Sequence, residues 1–551
     1  MKIYRFLSLL LLLLMLACCE NGTTIINQEV VSNYFVYKDF YVTIVGNEAK
    51  IVEFKGLQYD VVIPDYVENS GKKYPVTRIG SRAFADQRIN SVTFPNTLKY
   101  IDDEAFIECK QLSSISLPSS LQAIGKRAFM NSALENVVLP SNLQYIEEET
   151  FMECRKLSSI TLPSSLKKIG KRAFMNAGLV NVVLPSKLQY IEEESFMDCS
   201  KLSSITLPSS LEAIGKRAFI NSGLENVVMS SKLQYIEEET FKDCSKLSSI
   251  TLPSSLEAIG KRAFINSGLE NVVLPSKLQY IEEETFKDCS KLSSITLPSS
   301  LEVIGKRAFF NTKLIEINIP SVNTIEVSAF ASNKYLKKVT INSMLETIEE
   351  NAFKDCDNLE NVTLPNSLEY IGNYAFANTS ISDFSLPSGS LGQGVLFNCP
   401  LKSLHIGGKV KEIPFDFCYI NIAGYSRDNN IQSLTLSEGI EIINSNAFEY
   451  CKLSQIEIPN SVKKISNFAF RGNTKLKTVI FGSGLQEIGV SAFENVNDVT
   501  NVSFYSASPP SIIGFIYWRC TIHVPGSSLE LYRQKYRNTF INCTIYDYVA
   551  L

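Results

Sequence analysis

Apolar positions in this chain recur with a period longer than any single helix or strand provides. Phenylalanine stands at Phe84, Phe106, Phe129, Phe151, Phe174, Phe196, Phe219, Phe241, Phe264, Phe286 and Phe309, with gaps alternating between 22 and 23 residues. The series continues less regularly through Phe330, Phe353, Phe376, Phe397, Phe417, Phe448, Phe470 and Phe493, making 19 units. Inside one unit, Leu202, Ile205 and Leu207 alternate with polar residues, so Ile205 and Leu207 face inward and Thr206 outward on a short strand. Pro208 cannot donate to a strand ladder and ends it. Leu211, Ile214 and Phe219 then return to the interior from a second wall. One unit cannot bury this set alone, but stacked units bury it continuously. The pattern predicts a solenoid with one parallel sheet, rungs about 4.8 Å apart, and a stack roughly 90 Å long. The second wall is expected to be turns and short helical pieces.

Two rung types alternate. One has six residues from Phe to Leu, as in Phe151 to Leu157, and carries a cysteine; the other has five, as in Phe129 to Leu134, and carries Asn131-Ser132. Cysteine rungs lead into Ile-Gly-Lys-Arg, as at Ile124 to Arg127, and the others into Ile-Glu-Glu-Glu, as at Ile146 to Glu149. Stacking therefore places opposite charges one rung apart and like charges two rungs apart. A slip by one rung would put like on like, so the charges specify register.

The ends are organised differently. Lys2 and Arg5 precede an apolar run from Phe6 to Leu16, which has the length of a signal peptide's hydrophobic region and is too short to span a bilayer. Met15-Leu16-Ala17-Cys18 resembles a bacterial lipobox, which makes residues 1–17 a lipoprotein signal peptide and Cys18 the lipidated residue, with Cys19 as the other possible anchor. Residues 18–33 would be a tether. Residues 34–75, with Tyr41-Val-Thr-Ile44 and Val61-Val-Ile63, are expected to form a β-rich N-terminal cap. The repeats occupy 76–504 and a C-terminal cap 505–551.

The motif Phe-x-x-Cys-x-x-Leu-x-x-Ile-x-Leu-Pro-x-Ser-Leu-x-x-Ile-Gly, read over 196–215, is similar to the repeat of bacterial surface leucine-rich-repeat proteins of the Bacteroides surface protein A (BspA) type. Tyr74 to Gly80 resembles the entry into the first repeat of such proteins. Thr521 to Gly526, followed by Tyr532, resembles their C-terminal cap. The resemblance implies an α/β-class leucine-rich-repeat solenoid, capped at both ends, with no catalytic residues or cofactor. It also implies a cell-surface adhesin for host matrix proteins or other bacteria. The pattern is broken at Pro387 to Leu396, which is glycine-rich, and between Phe417 and Phe448.

Composition narrows the functional classes. The chain has 53 basic and 57 acidic residues, and the basic residues form no block, which disfavours nucleic acid as a partner. Its two histidines, His405 and His523, are far apart in sequence, which nearly excludes histidine-dependent metal clusters and triads. The Glu triplets lack the glycine and asparagine turns of calcium loops and read as a solvated charge stripe. A glycosidase needs one carboxylate pair in a cleft, whereas these recur every 45 residues. Cys109, Cys154, Cys199, Cys244 and Cys289 lie two rungs apart, too far to bridge. Cys399, Cys418 and Cys451 occupy successive rungs, and Cys520 and Cys543 share the cap; pairing among these five is left open.

The candidate binding surface is the outward strand face. It comprises Asn136 and Val138, Asn181 and Val183, Asn226 and Val228, Asn271 and Val273, with Thr161, Thr206 and Thr251 on the rungs between. This face is flat and lacks aromatics, which suits a broad extracellular protein partner better than a sugar. A second candidate is the insertion after Phe417, where Tyr419, Tyr425 and Arg427 have the residue types of interface anchors. The alternatives are a glycan-binding lipoprotein and a structural scaffold that binds only its own kind. The lipid anchor itself is directly testable. Cys18→Ser should shift the protein from the detergent phase to the aqueous phase with the repeats still folded; if only Cys19→Ser releases it, the cleavage site is one residue further on.

Overall fold

The computed structural model describes residues 34–551 except 321, 343, 387–388, 419–429, 515, 517, 541–542 and 548–551. The signal segment, Cys18, the tether up to residue 33, and Tyr419, Tyr425 and Arg427 therefore lie outside the described residues. The chain is a parallel β-solenoid of about 21 turns. A first ladder of short strands, hydrogen bonded as a succession of separate sheets, runs along one wall. Asn136–Val138 pairs with Ser159–Thr161 in parallel, Val137 opposite Ile160, and Ser204–Thr206 lies between Asn181–Val183 and Asn226–Val228.

A second parallel ladder, made of two-residue strands, runs along another wall. Tyr235–Ile236 pairs with Ala258–Ile259, and that with Tyr280–Ile281. In the two tyrosine strands the isoleucine is buried and the tyrosine before it faces outward. Gly215 follows another strand of this ladder. A Cβ there would collide with the Glu193 amide nitrogen, so this close approach of neighbouring rungs requires glycine.

The connection between the walls is built from turns, as expected, but without the short helical pieces expected among them, and the reason lies in the backbone. Arg217 (φ 56°) and Asn221 (φ 53°) flank Phe219 in left-handed conformation, and Glu239 (φ 56°) and Asp243 (φ 58°) repeat this one rung on. Left-handed residues so close together stop any helix. Alternate amides instead cross to the next rung: Arg217 N–H donates to Glu238 O at 3.0 Å, Phe219 N–H to Thr240 O at 3.0 Å, and Asn221 N–H to Lys242 O at 2.8 Å. The amides between them close tight turns, as Ile220 N–H does on Arg217 O. Among the described residues the one α-helix is Leu529–Tyr536.

The interior is a column of stacked rings. From Phe106 to Phe376 consecutive phenylalanines stack with centroids 5.2–5.7 Å apart and planes within 16° of parallel. The column breaks at the glycine-rich departure. There Phe376 N–H donates to Val395 O, where Phe353 N–H one rung earlier uses Ala375, the residue before the next phenylalanine. Leu396 therefore fills the slot, and Phe397 sits one position further on, edge-on to Tyr374 at 6.0 Å. This corrects the placement of Phe397 in the series.

The ends extend the ladders. Antiparallel strands Phe35–Tyr37, Phe40–Val45 and Glu48–Phe54 lead into Lys72–Ile79, which pairs with Tyr100–Ile101 and so begins the second ladder. Asp60–Val62 begins the first ladder on Ser91–Thr93. At the other end Thr521–Val524 and Thr544–Asp547 add two further strands. The helix lays Tyr532 and Tyr536 against Phe504, 5.5 and 6.0 Å between centroids, and Trp518 meets Phe493 at 5.4 Å. These rings cover the last rung, and the added strands account for the turns beyond the 19 phenylalanine units.

Removing one ring should be costly and local. Phe219→Ala is expected to destabilise by about 3–5 kcal/mol. Each rung contacts chiefly its neighbours, so hydrogen exchange should accelerate near residues 196–241 and little elsewhere. Uniform loss of protection along the chain would contradict this.

Candidate binding surfaces

The left-handed turn residues carry two ladders of side chains. In the first, glutamates and arginines alternate from Glu104 through Arg127 and Glu149 to Arg307. Arg217 shows the pattern: its Nε lies 2.6 Å from Glu239 Oε2, and its Nη1 lies 3.7 Å from Glu194 Oε1 on the preceding rung. Arg172 bridges Glu149 and Glu194, and Arg262 bridges Glu239 and Glu284, in the same way. These glutamates are buried and the arginines partly exposed, so each guanidinium covers two carboxylates. Burial pushes the Glu239 carboxyl up, but Arg217 and Lys242 more than offset it, and it ends below its ordinary value. In the other row of turn side chains Asn221 Nδ2 donates to Asp198, Asn266 to Asp243 and Asn311 to Asp288, at 2.8–3.0 Å. The expected alternation of charges is thus a set of direct contacts.

The ladder cysteines are structural. Cys199 Sγ–H donates to Phe174 O and Cys244 Sγ–H to Phe219 O, both at 3.1 Å. Asn333 takes the same place in its rung and donates to Phe309 O and Phe330 O. Burial pushes the thiols up, to about 11 at Cys154 and about 12 at Cys199, so they are poor nucleophiles. Cys399, Cys418 and Cys451 are likewise buried. Cys520 and Cys543 lie with their sulfurs 2.9 Å apart in the C-terminal cap, and contact with Cys520 lowers the Cys543 thiol to about 7. No group of His, Cys, Asp or Glu among the described residues is arranged to hold a metal ion. No described helix is long and apolar enough to cross a membrane.

The first ladder presents the expected strand face. Val138, Val183, Val228 and Val273 are 67, 84, 52 and 79 % exposed. Asn136, Asn181, Asn226 and Asn271 are exposed beside them, as are Thr161, Thr206 and Thr251 on the rungs between. The asparagines accept hydrogen bonds from the next rung, Ser159 to Asn136, Ser204 to Asn181 and Ser249 to Asn226. Asn181, Val183, Thr206 and Pro208 line a shallow, open depression of about 500 Å³. The result is a flat face of β-branched methyls bordered by a polar line.

The second ladder carries a feature that the strand pattern of the first does not announce. Tyr145, Tyr190 and Tyr235 are 48, 36 and 38 % exposed, and Tyr280 continues the row. The wall therefore has the aromatics that the first face lacks. Their 45-residue recurrence is plain in the sequence. The sequence does not declare that the residue before each inward isoleucine belongs to a strand and points outward.

Fold and surfaces together define a leucine-rich-repeat scaffold. The family model described as BspA type leucine rich repeat region matches in six copies, at residues 77–188, 122–233, 167–293, 212–335, 321–421 and 412–522, and the chain belongs to that family. No curated protein matches the chain. Among solved structures it is similar to a leucine-rich repeat protein from Bacteroides ovatus, at 22 % identity and TM-score 0.38, covering 93 % of this chain and 99 % of that one. It is also similar to a leucine rich cell surface protein from Faecalibacterium prausnitzii, at 20 % identity and TM-score 0.29, covering 86 % and 94 %. A third is the pneumococcal vaccine antigen PcpA, at 22 % identity and TM-score 0.28, covering 79 % and 94 %.

The ionic ladder yields a stability test. Arg217→Ala removes the nearest partner of a buried carboxylate and should cost about 1–2 kcal/mol, the low end for a charged group because the arginine is partly exposed. Glu239 is held below its ordinary value in the folded chain. Its contribution is therefore present above the ordinary carboxylate range and is lost as pH falls through the folded value. Urea unfolding at neutral pH and at a pH below the carboxylate range should show a smaller effect of Arg217→Ala in acid; an effect that grows on acidification would contradict the assignment.

Proposed function

We propose that this chain is a bacterial cell-surface scaffold that binds an extracellular protein through the first-ladder face, and that it acts as an adhesin for matrix or other surface proteins. One observation carries this reading: the row of exposed Val138, Val183, Val228 and Val273, spaced two rungs apart along the first wall, over three successive sheets, and bordered by asparagine, serine and threonine. Such a face offers apolar contact at the centre and hydrogen bonds at the edge, the anatomy of a protein interface. Membership in the BspA-type repeat family supports it. Among the described residues the ladder thiols are buried and the turn-ladder glutamates are paired with arginine, which supports a binding rather than a catalytic reading. The reading is of a non-enzymatic protein, held to the membrane through acylated Cys18 and standing away from the lipid on the tether that follows it.

The test is binding of the chain from residue 19 onward to immobilised matrix proteins, alongside a glycan array. The expected result is saturable protein binding that Val183→Asp or Val228→Asp weakens at least tenfold, because a charge at the centre of an apolar contact is desolvated without a partner. Binding to glycans alone, or protein binding indifferent to both substitutions, would overturn it.

A further inference from the structure

The end of a stack is its least supported part, because the last rung has a neighbour on one side only. Here Thr521–Val524 pairs in parallel with Thr544–Asp547, the final strand, which is exposed along most of its length. Between the two strands in sequence lies the helix Leu529–Tyr536, whose Tyr532 and Tyr536 rings cover Phe504. The helix and the strand are tied together, since Arg533 Nη2 donates to Ile545 O at 3.2 Å. Cys520 and Cys543 each stand one residue before the paired strands. The register that sets Thr521 opposite Thr544 therefore carries on to set the two cysteines opposite one another, and Thr544 N–H donates to Cys520 O at 3.2 Å.

This register brings two thiols into contact, with their sulfurs 2.9 Å apart. They differ in access. Cys520 is buried and Cys543 is half-buried, whereas the other described thiols are only 0–2 % exposed and lie out of reach of a reagent in solvent. They differ in acidity as well. Contact with Cys520 favours the Cys543 thiolate, and the same contact together with burial holds the proton on Cys520. One partner is thus an accessible nucleophile, and the other is a buried thiol directly behind it. Thiol–disulfide exchange needs this division between an attacking and a resolving cysteine.

We propose that Cys520 and Cys543 close a disulfide that clasps the C-terminal cap, formed by exchange with a disulfide outside the chain. The Cys543 thiolate attacks one sulfur of the external disulfide. The other sulfur leaves as a thiolate and takes up the proton that Cys543 has lost. Cys520 then gives up its proton and attacks the Cys543 sulfur. The mixed disulfide breaks, and the second external thiolate leaves and takes up that proton. Two cysteine thiols are oxidised to one disulfide, and one external disulfide is reduced to two thiols. A cell-surface setting, outside the reducing cytosol, permits the bond. The link spans residues 521–542, which include the whole helix, so it restricts the unfolded cap while the folded strands already hold the sulfurs together. The clasp acts at the end of the stack and stands apart from the valine face.

The experiment maps disulfides in the full chain by mass. Cleavage after lysine and arginine releases residues 520–533 and 538–551 as separate peptides with one cysteine each. The folded chain is incubated with oxidised glutathione, remaining thiols are blocked in denaturant, and the digest is weighed without reductant. The expected result is these two peptides joined to each other, with the link lost on reduction. In Cys520→Ser, Cys543 should instead be found carrying glutathione, because nothing resolves the mixed disulfide. In Cys543→Ser, Cys520 should stay unmodified while the chain is folded. Amide exchange over residues 521–547 should be at least about tenfold slower in the oxidised wild-type chain than in the reduced one, with residues 196–241 unchanged. Recovery of the two peptides unlinked after oxidation, or of either joined to another cysteine, would overturn the proposal. So would glutathione on Cys520 in place of Cys543, or cap exchange indifferent to the link. The wild-type comparison needs no variant to fold, and a thermal melt verifies folding of the two serine variants.

Discussion

Everything in this molecule depends on one translation: each rung lies directly on the last, in register, at the spacing of a parallel sheet. The strand ladders impose it on two walls and the crossing amides of the turns impose it on the connection between them. Phe219 N–H to Thr240 O at 3.0 Å is such a bond. Once that translation holds, any side chain repeated in sequence becomes a column in space. The phenylalanine stack is the clearest result, with planes between Phe241 and Phe264 only 3° from parallel. Offset stacking adds roughly 0.5–1.5 kcal/mol per pair beyond burial, so the column reinforces the register that creates it.

The turn wall shows how the same translation holds an otherwise unfavourable backbone. In the regular rungs two non-glycine residues adopt positive φ, at a cost of about 1–2 kcal/mol each. Arg217 and Glu239 occupy such positions, and their side chains form a chain of ion pairs with the rungs above and below. Asn221 and Asp243 occupy the others; asparagine and aspartate tolerate this conformation best, and here they also bond across rungs. The alternation of rung types has a physical purpose in this picture. A uniform rung would stack arginine on arginine and aspartate on aspartate, whereas the paired unit of 45 residues makes every contact attractive.

Much of this is legible in the sequence itself. Phe219, Ile205, Leu207 and Pro208 announce the core, the strand and its end, because burial and strand periodicity leave marks in a repeated sequence that chance does not. Lys126-Arg127 opposite Glu147-Glu148-Glu149 announces the charge ladder. The second strand ladder is hidden, since Tyr235–Ile236 is two residues long and shows no periodicity. The absence of helices on the turn wall is also hidden. Arg217 is an ordinary helix former, and nothing in its identity declares a positive φ that only its neighbours one rung away can enforce. Leu396 replaces Phe397 in the column for a similar reason: spacing from a glycine-rich stretch is ambiguous by one residue, and packing settles it. The tyrosine row escapes a reading by pattern because an outward residue of a two-residue strand cannot be assigned a face from sequence.

The consequence for function is that a regular solenoid recognises by repetition as well as by residue type. A partner contacting one valine gains little, since a single exposed side chain contributes about what a surface contact usually does. A partner that extends over several rungs gains each further contact at a high effective concentration, with the ordering cost already met by the first. Rigidity is therefore what the stacked interior contributes to recognition. The buried ladder thiols, the paired carboxylates and the ring column do not touch a partner themselves, but they keep the outer columns in register, which lets repeated contacts add.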